Sequence, residues 1–142
     1  MKLFIMKKHF YLFVTLVGLS LISCNNDDEN SSTSIVGKWE YFKEGFVVDG
    51  QEILEDYDHA VGCNKDTAQY NSNGTVQEVY YSNDGSGCVE ESDTNSYTIS
   101  GNTITVNFGS ESLTGTFSIS NNILKIRYTD SGTIYVVTLK KV

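Results

Sequence analysis

The chain has 142 residues, no proline, three cysteines and a formal net charge of −8. This length accommodates one domain rather than two, and an aromatic content of 12% argues against a disordered chain. A pI near 4.6 argues against nucleic-acid binding, because contact with phosphates needs a basic face.

The first 23 residues have the pattern of an export signal. Lys2, Lys7 and Lys8 form a basic start, and an apolar run follows from Phe10 to Ile22. The run is too short to span a bilayer as a helix, which takes about 20 residues, but it suits a signal-peptide core. The alternative is a buried helix, for which the rest of the chain offers no partner. We therefore predict a signal peptide over 1–23.

The end of this signal carries a more specific motif. Leu21-Ile22-Ser23-Cys24 resembles a bacterial lipobox, in which the thiol accepts the lipid and the cysteine becomes the first mature residue. The resemblance implies a lipoprotein whose partner is a membrane, held by more than one acyl chain. We expect it in the cell envelope, at the outer membrane.

Residues 24–34 are polar and show no periodicity, which predicts a flexible acidic tether. The cluster Asp27-Asp28-Glu29 resembles the surface-export signals of Bacteroidetes lipoproteins and would imply exposure at the cell surface. The alternative is a solvated linker without a signal.

Residues 35–142 alternate with period two between turn residues, which predicts an all-β domain. The clearest case places Ile104, Val106 and Phe108 on one face. Asn73-Gly74 predicts a two-residue hairpin turn, because both residues tolerate positive φ. The predicted strands lie at about 36–48, 67–71, 75–81, 94–99, 103–108, 112–120, 123–129 and 133–140.

Short links between these eight strands predict an up-and-down antiparallel meander. Closing it into a barrel would hide both edges, whereas a two-sheet sandwich is the alternative. The longest connection, 49–66, contains Glu52-Ile53-Leu54-Glu55-Asp56-Tyr57, for which we expect a short helical turn.

Several motifs in chain order resemble the lipocalin family. Gly37-Lys38-Trp39 matches the Gly-x-Trp that opens the first lipocalin strand, where the tryptophan closes one end of the barrel. Cys63-Asn64-Lys65-Asp66, Asn73-Gly74-Thr75, Cys88 and the terminal meander resemble lipocalin-like domains of Bacteroidetes lipoproteins. The resemblance implies a calycin-type barrel that binds a small hydrophobic ligand. One feature departs from it: lipocalins commonly place an arginine over the tryptophan after the last strand, whereas this chain ends in Lys140-Lys141-Val142.

Once Cys24 carries lipid, Cys63 and Cys88 remain. The envelope is oxidising, so we predict a disulfide between them, with two free thiols as the alternative.

One histidine and two separated cysteines supply too few soft ligands for a metal site. No cofactor is predicted.

His59 lies among acidic residues, where it could act as a general base or metal ligand, but we expect an exposed loop residue on an acidic surface. The acidic segment 90–93 is likewise predicted to be a solvated loop. No nucleophile, phosphate or metalloprotease motif is present in the sequence, so we do not predict an enzyme.

Asp66-Thr67-Ala68 resembles the three-residue O-glycosylation signal of Bacteroidetes, which would make Thr67 the acceptor. The alternative is that Thr67 is an ordinary first residue of a strand.

The tyrosines predicted to point inward offer two interpretations: Tyr41, Tyr70, Tyr97, Tyr128 and Tyr135. The first four could line an amphipathic ligand cavity, or the rings could fill a small barrel, which its size favours. A cavity above roughly 300 Å³ separates these cases. The corresponding functions are binding of a small hydrophobic ligand or a non-enzymatic role in surface interaction or structure.

Overall fold

The computed structural model describes residues 34–142. The predicted signal peptide, the lipidation site Cys24 and the tether up to residue 33 lie outside the described residues. Within the described part, no helix is long and apolar enough to cross a membrane.

The described residues form nine antiparallel strands and no helix. The strands are β1 (Gly37–Val48), β2 (Gln51–Asp56), β3 (Thr67–Tyr70), β4 (Thr75–Asn83), β5 (Cys88–Ser100), β6 (Thr103–Phe108), β7 (Glu111–Ser120), β8 (Ile123–Asp130) and β9 (Thr133–Lys141). β1 pairs with β3, each strand from β3 to β8 pairs with the next, and β9 returns to pair with β1. The predicted all-β barrel of eight strands is therefore confirmed, as β1 with β3–β9, and the sandwich alternative is wrong.

The ninth strand, β2, corrects the helical turn expected over 52–57. Asp49 and Gly50 both have positive φ, 50° and 79°, and form a tight two-residue turn of the primed type. Phe46 then faces Ile53 across the hairpin. The Asp-Gly pair between two apolar runs is the signal that sequence reasoning missed.

β1 is long enough to pair with two different strands along one of its edges. Gly37–Glu40 pair with β3, and Lys43–Val48 pair with β2. The opposite edge of β1 pairs with β9, with a β-bulge between Tyr41 and Lys43. A bulge leaves backbone groups unpaired and turns the strand, and here it divides β1 into its two paired halves.

β5 corrects the loop expected over residues 90–93. It begins at Cys88 and pairs with β4 over its whole first half, whereas β6 joins it only from Ser96. The segment 88–94 is exposed on both faces. A strand that is exposed to solvent on both faces shows no alternation of apolar and polar residues, so the sequence pattern could not reveal this strand.

The hairpin at Asn73-Gly74 exists, but the expected two-residue turn is wrong. Residues 71–74 form a four-residue connection, in which Gly74 alone has positive φ, at 80°. The Gly74 N–H donates to the Asn71 carbonyl at 3.1 Å, and Thr75 N–H donates to the Asn73 side chain. The local hydrogen bonds of two asparagines thus favour the longer connection.

One end of the barrel is closed by a dense core around Trp39, which is fully buried and donates its indole N–H to the Ile35 carbonyl at 2.7 Å. Aromatic and aliphatic side chains from seven strands and the segment before β1 pack together here: Ile35, Trp39, Ala68, Tyr70, Val76, Tyr97, Ile104, Leu124 and Leu139. This arrangement matches the role that the lipocalin resemblance implied for Trp39.

Lys141 lies over Trp39, where the lipocalin resemblance implied an arginine. Its ammonium lies 4.6 Å from the Trp39 ring centroid and donates to the Val36 carbonyl at 3.1 Å. A cation over an indole face is attracted by the ring quadrupole. Gly37 makes room for it, since a Cβ at Gly37 would lie 2.8 Å from the Lys141 Nζ.

Candidate functional site

The barrel encloses a cavity of about 650 Å³ above the Trp39 core. Tyr70, Val76, Ile104 and Leu139 belong to that core and also line the cavity, so they form its floor. Aliphatic side chains from β6–β9 line another part of the wall: Val106, Leu113, Ile126, Val136 and Val137. The filled interior that the small size of the barrel favoured is therefore wrong.

The exposed part of the cavity lining combines apolar side chains with carboxylates. Phe46, Ile53 and Phe108 line the cavity and are 45%, 47% and 42% exposed, respectively. Large apolar groups held at a cavity mouth in contact with water are typical of a binding entrance rather than of a solvated surface.

Three of the four tyrosines predicted to contact ligand line this cavity: Tyr41, Tyr70 and Tyr128. Tyr97 lies outside the lining. Its ring packs edge-on against Tyr70, with centroids 5.2 Å apart, and its hydroxyl donates to the Asn71 carbonyl at 2.8 Å. Tyr97 is thus a core residue of the closed end. Contact of the other three with a ligand stays a prediction.

The structure also brings polar residues into the cavity that sequence reasoning missed. Tyr41 donates its hydroxyl to Glu78 Oε1 at 2.7 Å and lies 3.2 Å from the Tyr80 hydroxyl. Tyr57, from the connection after β2, stacks on Tyr41 with ring centroids 4.9 Å apart. The signal was weak but present: period two from Val76 places Glu78 and Tyr80 on the same face of β4.

These hydroxyls stay protonated at ordinary pH. Burial, followed by the neighbouring Glu78 charge, raises the pKa of Tyr41 far above its ordinary value. Burial also dominates at Tyr57 and Tyr80, where it raises the pKa of each phenol. Tyr41 is therefore a stable donor to the Glu78 carboxylate.

A buried polar network holds Tyr41 in place and corrects the expectation that His59 is an exposed loop residue. The His59 side chain is only 8% exposed. Its Nδ1 accepts the Asp66 backbone N–H at 3.1 Å, so its Nε2–H donates to the Tyr41 carbonyl at 2.9 Å. The Tyr41 N–H in turn donates to the Asp66 carbonyl. His59 and Asp66 thereby satisfy the backbone groups that the bulge leaves unpaired.

Both nitrogens of His59 are engaged with the backbone, which gives this ring a structural role. The Asp66 carboxylate is buried and accepts the Tyr81 N–H at 2.8 Å. Within residues 34–142, no three His, Cys, Asp or Glu side chains are grouped so that they could hold a metal ion.

The predicted disulfide is present between Cys63 and Cys88, with Cα atoms 5.6 Å apart. It joins the β2–β3 connection to the first residue of β5. Asn83 reinforces the same junction by donating its side-chain amide to the Val61 carbonyl at 3.0 Å. The connection that carries Tyr57 and His59 is therefore tied to the barrel beyond its hydrogen bonds to β1.

Thr67 is the first residue of β3, opposite Glu40 on β1 and Val79 on β4, and is half-buried. Its glycosylation stays a prediction.

Comparison with protein families matches a model described as a lipocalin-like domain to residues 35–113. The chain belongs to this lipocalin-like family. The match runs from the segment before β1 to β7, and β8 and β9 complete the barrel beyond it. The comparison with curated proteins returned no match.

Proposed function

We propose that this lipocalin-like chain is a non-enzymatic binding protein that holds a small apolar molecule in its barrel. The observation that carries the proposal is the cavity of about 650 Å³, with a largely apolar floor and exposed apolar side chains in its lining. Sites for small molecules commonly enclose about 300–1,000 Å³ and are mostly apolar with few polar groups. Each buried methylene contributes about 0.8 kcal/mol, offset by several kcal/mol for lost freedom on binding, so medium-length alkyl chains should bind with micromolar affinity.

We further propose that the domain is anchored by lipid at Cys24 to the bacterial outer membrane, on the tether 24–34. The lipobox-like Leu21-Ile22-Ser23-Cys24 supports this anchor. Acylation would hold a binding domain beside a membrane without any spanning segment. The Cys24→Ser variant should accumulate as an unprocessed precursor without acyl chains, as measured by intact mass. Normal processing of that variant would refute the anchor without affecting the cavity proposal.

Ligand binding is tested with a neutral apolar fluorophore, N-phenyl-1-naphthylamine, added to the chain from residue 24 onward carrying Cys24→Ser. We expect saturable binding at one site. Val106→Trp, which places an indole in the cavity, should weaken binding at least tenfold, and Leu113→Phe should do so more mildly. The matched control is Val61→Trp, because Val61 is 86% exposed outside the cavity. Unsaturable binding, or equal binding by the cavity variants and the control, would refute the proposal.

A further inference from the structure

The charged groups that line the cavity all have the same sign. Its ionisable side chains, apart from tyrosines, are the carboxylates Glu44, Glu55, Asp56, Asp58 and Glu78, and no Lys, Arg or His of the described residues lines it. The cavity defines the candidate binding site. The carboxylates of its lining determine which charge on an otherwise apolar ligand is favoured.

Three lysines of the barrel have partners of their own. Lys43 pairs with Asp56 at 2.6 Å, which neutralises one carboxylate of the lining. Lys125 contacts Glu52 at 2.7 Å, and Lys141 lies over Trp39 at the closed end. The other four carboxylates of the lining have no ion pair among the contacts described for residues 34–142.

Glu78 is the acidic residue set among the aromatic side chains. It lies on the face of β4 between Val76 of the floor and Tyr80, and it accepts one hydrogen bond from Tyr41. A carboxylate can accept about four hydrogen bonds. The donation from Tyr41 therefore orients Glu78 and leaves acceptor capacity for a donor on a ligand.

Aromatic rings line the cavity next to Tyr41, whose hydroxyl contacts Glu78. The Tyr41 centroid lies 4.9 Å from that of Tyr57 and 5.9 Å from that of Tyr80. On another part of the lining, Tyr128 and Tyr135 stack at 5.4 Å. Faces of aromatic rings attract cations, most strongly where water is excluded. Carboxylate and ring faces therefore favour the same ligand charge.

We propose that the cavity selects lipophilic amines, in which an alkyl or aryl body occupies the apolar chamber and a cationic nitrogen lies at Glu78 among the tyrosines. This inference rests on the proposed binding function and specifies its ligand class. Fatty acids are disfavoured, because their carboxylate would meet the like charge of the partly buried Glu78, and no basic side chain of the described residues lines the cavity.

The test compares three ligands with one chain length: dodecylamine, 1-dodecanol and dodecanoate, below their micelle concentrations at pH 7.5. Each displaces N-phenyl-1-naphthylamine from the Cys24→Ser chain. We expect dodecylamine to bind about tenfold more tightly than dodecanol and dodecanoate to bind most weakly. Glu78→Gln should bring the amine-to-alcohol ratio close to one while dodecanol affinity stays within about threefold, which also shows that the variant folds.

Glu40→Gln is the matched control, because Glu40 lies on β1 outside the cavity lining and faces Lys140 across the pair. It should leave the ratio unchanged. Equal binding of all three ligands, stronger binding of dodecanoate, or an unchanged ratio in Glu78→Gln would overturn the amine proposal and leave the binding function standing. Failure of every ligand and of the fluorophore to bind would overturn both.

Discussion

The two ends of the barrel differ in what their aromatic side chains do. At the closed end Trp39 is fully buried, its indole N–H donates to the Ile35 carbonyl, and the Lys141 ammonium lies over its ring. At the open end Phe46 and Phe108 stand at the rim, with more than 40% of their surface exposed beside a cavity. The same kind of side chain thus stabilises the fold at one end and leaves room for a ligand at the other.

This contrast assigns stability to the closed end and binding to the open end. Buried, tightly packed residues carry most of the free energy of folding. Residues beside an existing void have fewer contacts to lose, so the open end can be changed with less cost to stability. The following predictions test this division, beginning with the largest effect.

Trp39→Ala should lower the free energy of unfolding by about 3–5 kcal/mol, because it removes the central side chain of the closed core. Val106→Ala, at the cavity wall, should cost less than about 1.5 kcal/mol, since it only enlarges a space that already exists. Urea denaturation followed by circular dichroism measures both. Equal losses would contradict the assignment of stability to the closed end.

Replacing Cys63 and Cys88 together by serine should lower the free energy of unfolding by about 3 kcal/mol, because the disulfide closes a loop of 25 residues. The same variant should weaken fluorophore binding, since the tied connection carries Tyr57 onto the cavity. Reduction of the unaltered protein with a thiol provides a control that changes no residue. An unchanged denaturation midpoint after either treatment would show that hydrogen bonds alone hold this connection.

Lys141→Ala should lower the free energy of unfolding by about 1–2 kcal/mol, through loss of the cation over Trp39 and of its hydrogen bond to Val36. Lys141→Arg should keep most of this stability, because a guanidinium can stack on the indole as well. Thermal unfolding compares the two variants with the parent chain. A loss in Lys141→Arg as large as that in Lys141→Ala would mean that the ammonium geometry, rather than the charge over the ring, matters.

Phe108→Ser should change the free energy of unfolding least, by about 1 kcal/mol or less, because a large part of the ring is already in water. It should nevertheless weaken binding of N-phenyl-1-naphthylamine, as the rim loses apolar surface. Denaturation and fluorescence titration on the same sample measure both effects. Unaltered binding would show that the rim does not contribute to the site.

Sequence reasoning succeeded where a residue's position depends on its immediate neighbours. The alternation at Ile104 and Val106, the Gly37-x-Trp39 opening and the remaining cysteine pair each follow from local pattern or simple counting. It failed where several elements act on one residue. His59 looked exposed because acidic residues surround it in sequence, yet the β1 bulge and Asp66 bury its ring.

The primary sequence on its own determined the period-two alternation of residues 35–142 and their antiparallel all-β class, because side-chain period and turn chemistry are properties of neighbouring residues. Only the tertiary structure decided whether the inward side would be full or hollow. That outcome depends on the combined geometry of all eight barrel strands, including the bulge at Tyr41. The volume enclosed by a barrel depends on the geometry of all its strands together, so no local sequence pattern determines it.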